Sequence, residues 1–158
     1  MQILEVFVEA VRQVFQETDI PIDAVEEKDS SDAEDQVVTS VGLTGDVKGI
    51  FMLLTDTMSA TRIVRAMTGG LRITLKDDML NEIQMAALGE LSNQISGRAI
   101  TLLSDRELHC DITPPAVLAA RQLQSLVPDL ATSFRMTVRG PFGRLTLFLG
   151  ISAAPASE

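Results

Sequence analysis

Two stretches of this chain each hold a pair of apolar or β-branched runs separated by a glycine-bearing turn, and nothing else in the sequence restricts its fold so strongly. Val37 to Thr44 and Val47 to Thr55 meet at Gly45-Asp46, and the second run is nearly continuous through Gly49-Ile50-Phe51-Met52-Leu53-Leu54. Phe134 to Arg139 and Arg144 to Ile151 flank Gly140-Pro141-Phe142-Gly143. Runs of this composition bounded by turn residues read as strands, and strands joined so tightly pair antiparallel. The nearly continuous Gly49 to Leu54 run predicts that this second strand is central.

Helical periodicity occupies much of the remainder. Ile3, Phe7, Val11 and Val14, with Leu4, Val8 and Phe15, recur at three-to-four spacing, which predicts an amphipathic helix over about residues 2 to 17, ending before Pro21. Thr57 or Ser59 can cap a second helix that runs through Ile63, Val64 and Met67 to Gly69-Gly70. After a bridging Leu71 to Leu75, Asp77 or Asp78 opens the longest helix. Its buried stripe is Leu80, Ile83, Ala87, Leu91, Ile95, Ala99 and Leu102, with Glu82, Ala86, Glu90, Asn93 and Gly97 along the other side. Leu108 to Thr113 reads as a strand ended by Pro114-Pro115, because proline cannot donate to a ladder. A short strand is expected at Ile20 to Val25. Residues 116 to 127 have helical composition over Ala116 to Leu123, the alternative being a turn and a half followed by loop. The order helix, hairpin, two helices, strand, hairpin predicts a single α+β domain over residues 1–152, its long helices packed on one face of a mainly antiparallel sheet. Residues 153–158 are expected to form a disordered tail.

A chain of 158 residues can bury one sizeable core, and its 46% hydrophobic content includes no apolar run of the roughly 18 residues a membrane span requires. The opening MQILEVFVEAVRQVF is amphipathic and carries Glu5 and Glu9 ahead of Arg12, unlike a signal peptide, so a cytoplasmic location is expected. A net charge of −9 without any Lys/Arg cluster argues against nucleic acid or an anionic membrane as partner. The acidic stretch Asp19 to Asp35 reads as a solvated loop. It lacks the sixth-position glycine of an EF-hand, having Glu34 there when counted from Asp29, so no calcium site is expected.

Conventional catalytic sets are also missing. His109 is the only histidine and adjoins the only cysteine, Cys110, in an expected strand where neighbours point to opposite faces. That excludes a nucleophilic Cys/His pair, and one of each cannot build a zinc site. There is no phosphate-binding glycine loop, and Gly140 to Gly143 is better explained as a hairpin turn than as a backbone clamp for nucleic acid. What remains is Ala87-Leu-Gly-Glu90-Leu-Ser-Asn93-Gln-Ile-Ser-Gly97. Here Glu90 and Asn93, at i and i+3, project from one helix face. Ala86, Gly89 and Gly97 are expected to border that face as a partner-binding surface, since a glycine inside a helix costs about 1 kcal/mol relative to Ala and calls for some close approach. The alternative is that the glycines allow tight packing against the protein's own sheet.

In context the motif is more specific. Ala87 to Ala99, followed by Asp111-Ile-Thr-Pro114-Pro115-Ala-Val117, resembles the CheX branch of the CheC/CheX/FliY family, and the likeness extends over about Val37 to Ile151 through the Gly49 to Leu54 strand, Met67-Thr-Gly69-Gly70 and Gly143-Arg-Leu-Thr-Leu-Phe-Leu. The resemblance implies a CheC/CheX-like fold and a phosphatase acting on the aspartyl phosphate of a CheY-like response regulator in chemotaxis. It assigns Asn93 to orienting the attacking water and Glu90 to pairing with the regulator's phosphate-site lysine. It implies no cofactor of the chain's own, magnesium being held by the regulator, and a homodimer formed through the sheet. CheC-type relatives carry two such helices, whereas Ser59 to Met67 holds no Glu-x-x-Asn, which favours the single-site CheX pattern. Two other functions fit the same residues. One is a non-catalytic receiver-binding adaptor or flagellar-switch-like protein. The other has the motif face packed internally, with Glu90 and Asn93 buried.

Overall fold

Both expected hairpins form, and they join along their second strands. The computed structural model describes residues 3–27, 37–67, 77–119 and 132–152. In chain order the elements are α1 (Ile3–Glu17), β1 (Ala24–Glu27), β2 (Val37–Gly45), β3 (Gly49–Thr55), α2 (Thr57–Met67), α3 (Asp77–Ser104), β4 (Cys110–Ile112), β5 (Ala116–Ala119), β6 (Thr132–Gly140) and β7 (Gly143–Ile151). The seven strands make one antiparallel sheet in the order β1-β6-β7-β3-β2-β4, with β5 also paired to β2. The central pair is β3 with β7, in a register that sets Met52 opposite Phe148 and Leu53 opposite Leu147. This is the α+β arrangement expected from the sequence, with helices packed on one face of an antiparallel sheet.

Strand alternation sorts the apolar residues into two layers. Leu43, Phe51, Leu53, Leu145, Leu147 and Leu149 face the helices, where they meet Phe7, Val11 and Phe15 of α1, Ala60 and Ile63 of α2, and Leu88, Leu91, Ile95, Ala99 and Leu103 of α3 in the main core. Val38, Met52, Leu54 and Phe148 form a smaller buried cluster on the opposite face, and the Arg135 guanidinium lies 4.9 Å from the Phe148 ring centroid. The central strands are thus apolar on both sides.

The local ends of the elements differ from expectation in several places. The short strand is Ala24–Glu27 rather than Ile20 to Val25, because Ile20 closes α1 instead. Ile20 N–H donates to Phe15 O at 2.8 Å and Asp19 N–H to Gln16 O at 3.2 Å, with Asp19 at φ 58°: a Schellman motif whose last apolar residue is buried. The cap of α2 is Asp56, not Thr57 or Ser59; its Oδ1 accepts from Ser59 N–H at 2.7 Å. Ala116–Ala119 is a strand, not the start of a helix, since the lower half of β2 offers it an unpaired edge beyond β4. In α3, Leu88 and Leu103 are buried where Ala87 and Leu102 were expected to be; those two are only partly covered. The side chains of Leu80 and Ile83, residues 120–127, the segment 28–36 and the expected tail at 153–158 lie outside the described residues.

Candidate functional site

The deep stripe Leu88, Leu91, Ile95, Ala99 and Leu103 fixes the rotation of α3, and that rotation turns Glu90 and Asn93 to solvent. Both are exposed, as is Ala86 one turn before them, while Gly97 one turn beyond is half-buried. The reading in which the motif packs internally is therefore overturned. The two polar side chains differ in their partners. Gln94 Nε2 donates to Glu90 Oε1 at 3.2 Å, and among the described residues no cation pairs with Glu90 and Asn93 makes no side-chain hydrogen bond.

The two glycines of the segment separate. A Cβ built on Gly97 meets nothing within 4 Å, so the chain's own packing does not require glycine there. Gly89 is buried, and the expectation that it borders the exposed face is corrected. The reason lies in how α3 is flanked: it contacts both α1 and the sheet, which widens its buried sector beyond one stripe to take in Gly89, Ser92 and Ser96. Thus one glycine faces the protein's own interior and the other lies where that interior makes no demand for it.

Beside Asn93 a groove of about 470 Å³ runs between the end of α1 (Glu17, Thr18) and α3 (Asn93, Gly97, Arg98, Thr101). Arg98 joins its two walls. Nη1 donates to Gln13 Oε1 at 2.9 Å, and Nη2 lies 2.7 Å from Glu17 Oε1. The hydrogen bond from Arg98 draws the Glu17 carboxyl below its ordinary range, against a smaller opposing effect of desolvation, and the same bond raises Arg98. Nothing in the residue pattern signals this pairing. Gln13 and Glu17 share one flank of α1, but their partner lies 85 and 81 residues away.

The α2 region is occupied by structural contacts. Asp56 Oδ2 accepts from Ser59 Oγ at 2.9 Å and pairs with Arg144 Nε at 3.5 Å; Ser59 Oγ in turn accepts from Arg144 N–H at 3.1 Å. Gly143 sits at φ 120°, and a Cβ there would fall 2.2 Å from Ser59 Oγ, so the β6–β7 turn must be glycine to approach the helix this closely. His109 is exposed and Cys110 buried; β4 begins only at Cys110 rather than at Leu108, and the His109 N–H donates to Asp46 Oδ2 at 2.7 Å. Among the described residues no group of three or more His, Cys, Asp or Glu could hold a metal ion, and no helix is long and apolar enough to cross a membrane.

A family profile described as "Chemotaxis phosphatase CheX" matches residues 37–139, which include β2 to β5, nearly all of β6 and the whole of α3. The chain is 34% identical over 88 residues to the CheY-P phosphatase CheX of Thermotoga maritima; the match covers 56% of this chain and 54% of that protein, so it spans about half of the curated relative. Among solved structures, the fold is similar to that in the CheX-CheY-BeF3-Mg2+ complex from Borrelia burgdorferi, with a TM-score of 0.78 at 21% identity over 97% of this chain and 99% of that one. A chemotaxis protein CheX from Desulfovibrio desulfuricans gives 0.75 at 21% identity, over 96% of this chain and 100% of that one. The likeness in three dimensions extends beyond the profile match to α1, and with the profile covering well over half of the sequence, the chain belongs to the chemotaxis phosphatase CheX family.

Proposed function

We propose that this protein binds a phosphorylated CheY-like receiver domain and accelerates hydrolysis of its aspartyl phosphate. The observation that carries this reading is the pairing of an exposed Glu90 with an exposed Asn93 whose carboxamide has no partner of its own among the described residues. Phosphoryl transfer needs little covalent help; it depends on placing the nucleophile in line and on neutralising the charge of the transferred group. Magnesium and a lysine, both on the receiver, supply that neutralisation. Asn93 then has one task, to accept from and donate to a water so that its lone pair points at phosphorus. An amide can do both at once, whereas a carboxylate in its place would repel the phosphoryl oxygens. Glu90 supplies the opposite charge for the receiver lysine and so sets the register of α3 on the active site.

The same reading has residues 1–152 act as one cytoplasmic domain that pairs into a homodimer through its sheet. Support for the pairing is the outer edge of β4 and β5, beyond which no strand lies among the described residues; light scattering on the purified protein tests it. The function itself is tested by mixing the protein with phosphorylated receiver domains of the source organism and following phosphate release. Accelerated release that is lost in Asn93→Ala, with binding retained, is the expected result. Phosphate-dependent binding without faster release would instead favour a non-catalytic adaptor.

A further inference from the structure

The groove beside Asn93 extends the surface available to a partner from one helix to two. Its lining combines Asn93, Gly97 and Thr101 of α3 with Glu17 and Thr18 at the end of α1. A partner that uses Asn93 thus meets a concavity shared by both helices. We infer that the receiver seats a neutral, hydrogen-bonding loop from beside its phosphorylation site in this groove, and that the Gln13–Arg98–Glu17 linkage acts as a positioning latch that holds α1 at the right distance from Asn93. The inference rests on the proposed phosphatase reading and specifies how that site recognises its partner.

Charge complementarity selects this occupant. Glu90 keeps an uncompensated carboxylate among the described residues, which suits a cationic group of the partner. The groove is different, for among the described residues its one acid and its one base are already spent on each other at 2.7 Å. With Asn93 kept for the attacking water, what it still offers are a carboxamide and hydroxyls, from Gln94, Thr18 and Thr101, that can match peptide N–H and C=O groups. Thr18 and Thr101 also bond back to the carbonyls of Val14 and Gly97, at 2.6 and 3.2 Å, so their remaining lone pairs can accept from an incoming N–H. The floor at Gly97 is open, since a Cβ there has no neighbour within 4 Å. Backbone can thus approach backbone, which is how a loop gains hydrogen bonds without needing a specific side chain.

Arg98 is a positioning residue in this scheme because it touches α1, not the reacting atoms. A charge swap separates that role from direct contact with the partner. Glu17→Arg and Arg98→Glu alone should each raise KM for the phosphorylated receiver about threefold to fivefold, the range expected for losing one exposed ion pair, with kcat unchanged. The double variant Glu17→Arg/Arg98→Glu re-forms the pair with reversed polarity and should return KM to within about twofold of wild type. Thr101→Arg, exposed and two turns from Asn93, should fill the groove and raise KM about tenfold or more by steric exclusion. Circular dichroism melts verify that each variant folds. If Thr101→Arg leaves KM unchanged, the groove is not a docking site; if the single variants do so, or the swap fails to rescue them, the latch is wrong. Wild-type protein that releases no phosphate from any receiver would instead remove the proposed function on which the inference rests.

Discussion

Gln94 Nε2 donates to Glu90 Oε1 at 3.2 Å across one turn of α3, while Asn93 makes no side-chain hydrogen bond among the described residues. The carboxylate is oriented before any partner arrives, and the carboxamide is left available. That difference predicts a separation in kinetics. Glu90→Gln keeps the shape and removes the charge, so it should raise KM for the phosphorylated receiver about tenfold, as expected for one charge-assisted contact, with little change in kcat. Asn93→Ala should lower kcat roughly a hundredfold with KM nearly constant, because a water-orienting group acts mainly in the transition state. Steady-state phosphate release with varied receiver concentration distinguishes the two, and equal effects of both variants on KM alone would contradict the assigned roles.

Gly97→Ala separates folding from function. The added methyl meets nothing in this chain and replaces the residue least suited, proline apart, to a helix interior, so the variant should be about 1 kcal/mol more stable and melt roughly 2–4 °C higher. Phosphatase activity should nonetheless fall, since the methyl occupies the surface over which the receiver approaches. A more stable protein with wild-type kcat/KM would show that no close approach occurs there.

Which of these features a reader of the sequence could find depends on how local their causes are. The hairpins were legible because each needs only its own two runs and the turn between them, and Gly45 and Gly143 do adopt positive φ at those turns. Glu90 and Asn93 were legible because i, i+3 spacing fixes a shared face whatever else the chain does. The end of α1 at about residue 17 was legible from its spacing and from Pro21, although its left-handed closing residue is Asp19, at φ 58°; that of α3 was less so, since Glu107, at φ 64°, stands where a glycine would have signalled the stop. Ala116–Ala119 carries helix-forming residues that are drawn into a strand by the edge of β2, a tertiary effect that composition cannot show. Gly89 and Gly97 look alike in sequence and differ only in what flanks α3. The Arg98 linkage depends on two helices meeting across more than 80 residues of chain.

The α2 cap should govern stability rather than activity. Asp56 holds the first turn of α2 through Ser59 N–H and also faces the Nε of Arg144, which is buried. Asp56→Ala removes the cap and the counter-charge together. A loss of about 2–3 kcal/mol is expected, from roughly 1 for the cap and more for a buried cation deprived of its acid. Urea denaturation measures it. With the protein still folded, kcat for phosphate release should be unaffected, because none of these groups lies on the Glu90/Asn93 face.

The Glu17–Arg98 pair makes a separate prediction about pH. Arg98 lowers the Glu17 carboxyl in the folded protein below its ordinary value of 4.5, so the folded state binds this proton less readily than the unfolded chain does. The pair's contribution is therefore fully present above 4.5, the unfolded value, and is lost as pH falls through the lower, folded value. Glu17→Gln has no proton to bind and retains only a neutral hydrogen bond to Arg98. The stability gap between wild type and Glu17→Gln should consequently be constant near neutrality and shrink as the acid limb is entered, from about pH 5 downward. Because both side chains are substantially exposed, at 58% for Glu17 and 31% for Arg98, added salt should narrow the neutral-pH gap as well. Urea melts of both proteins across the acid range, at low and high ionic strength, provide the comparison. A gap that stays constant through the acid limb would mean that Arg98 does not hold the Glu17 carboxylate in solution, and α1 would then lose its tether beside Asn93.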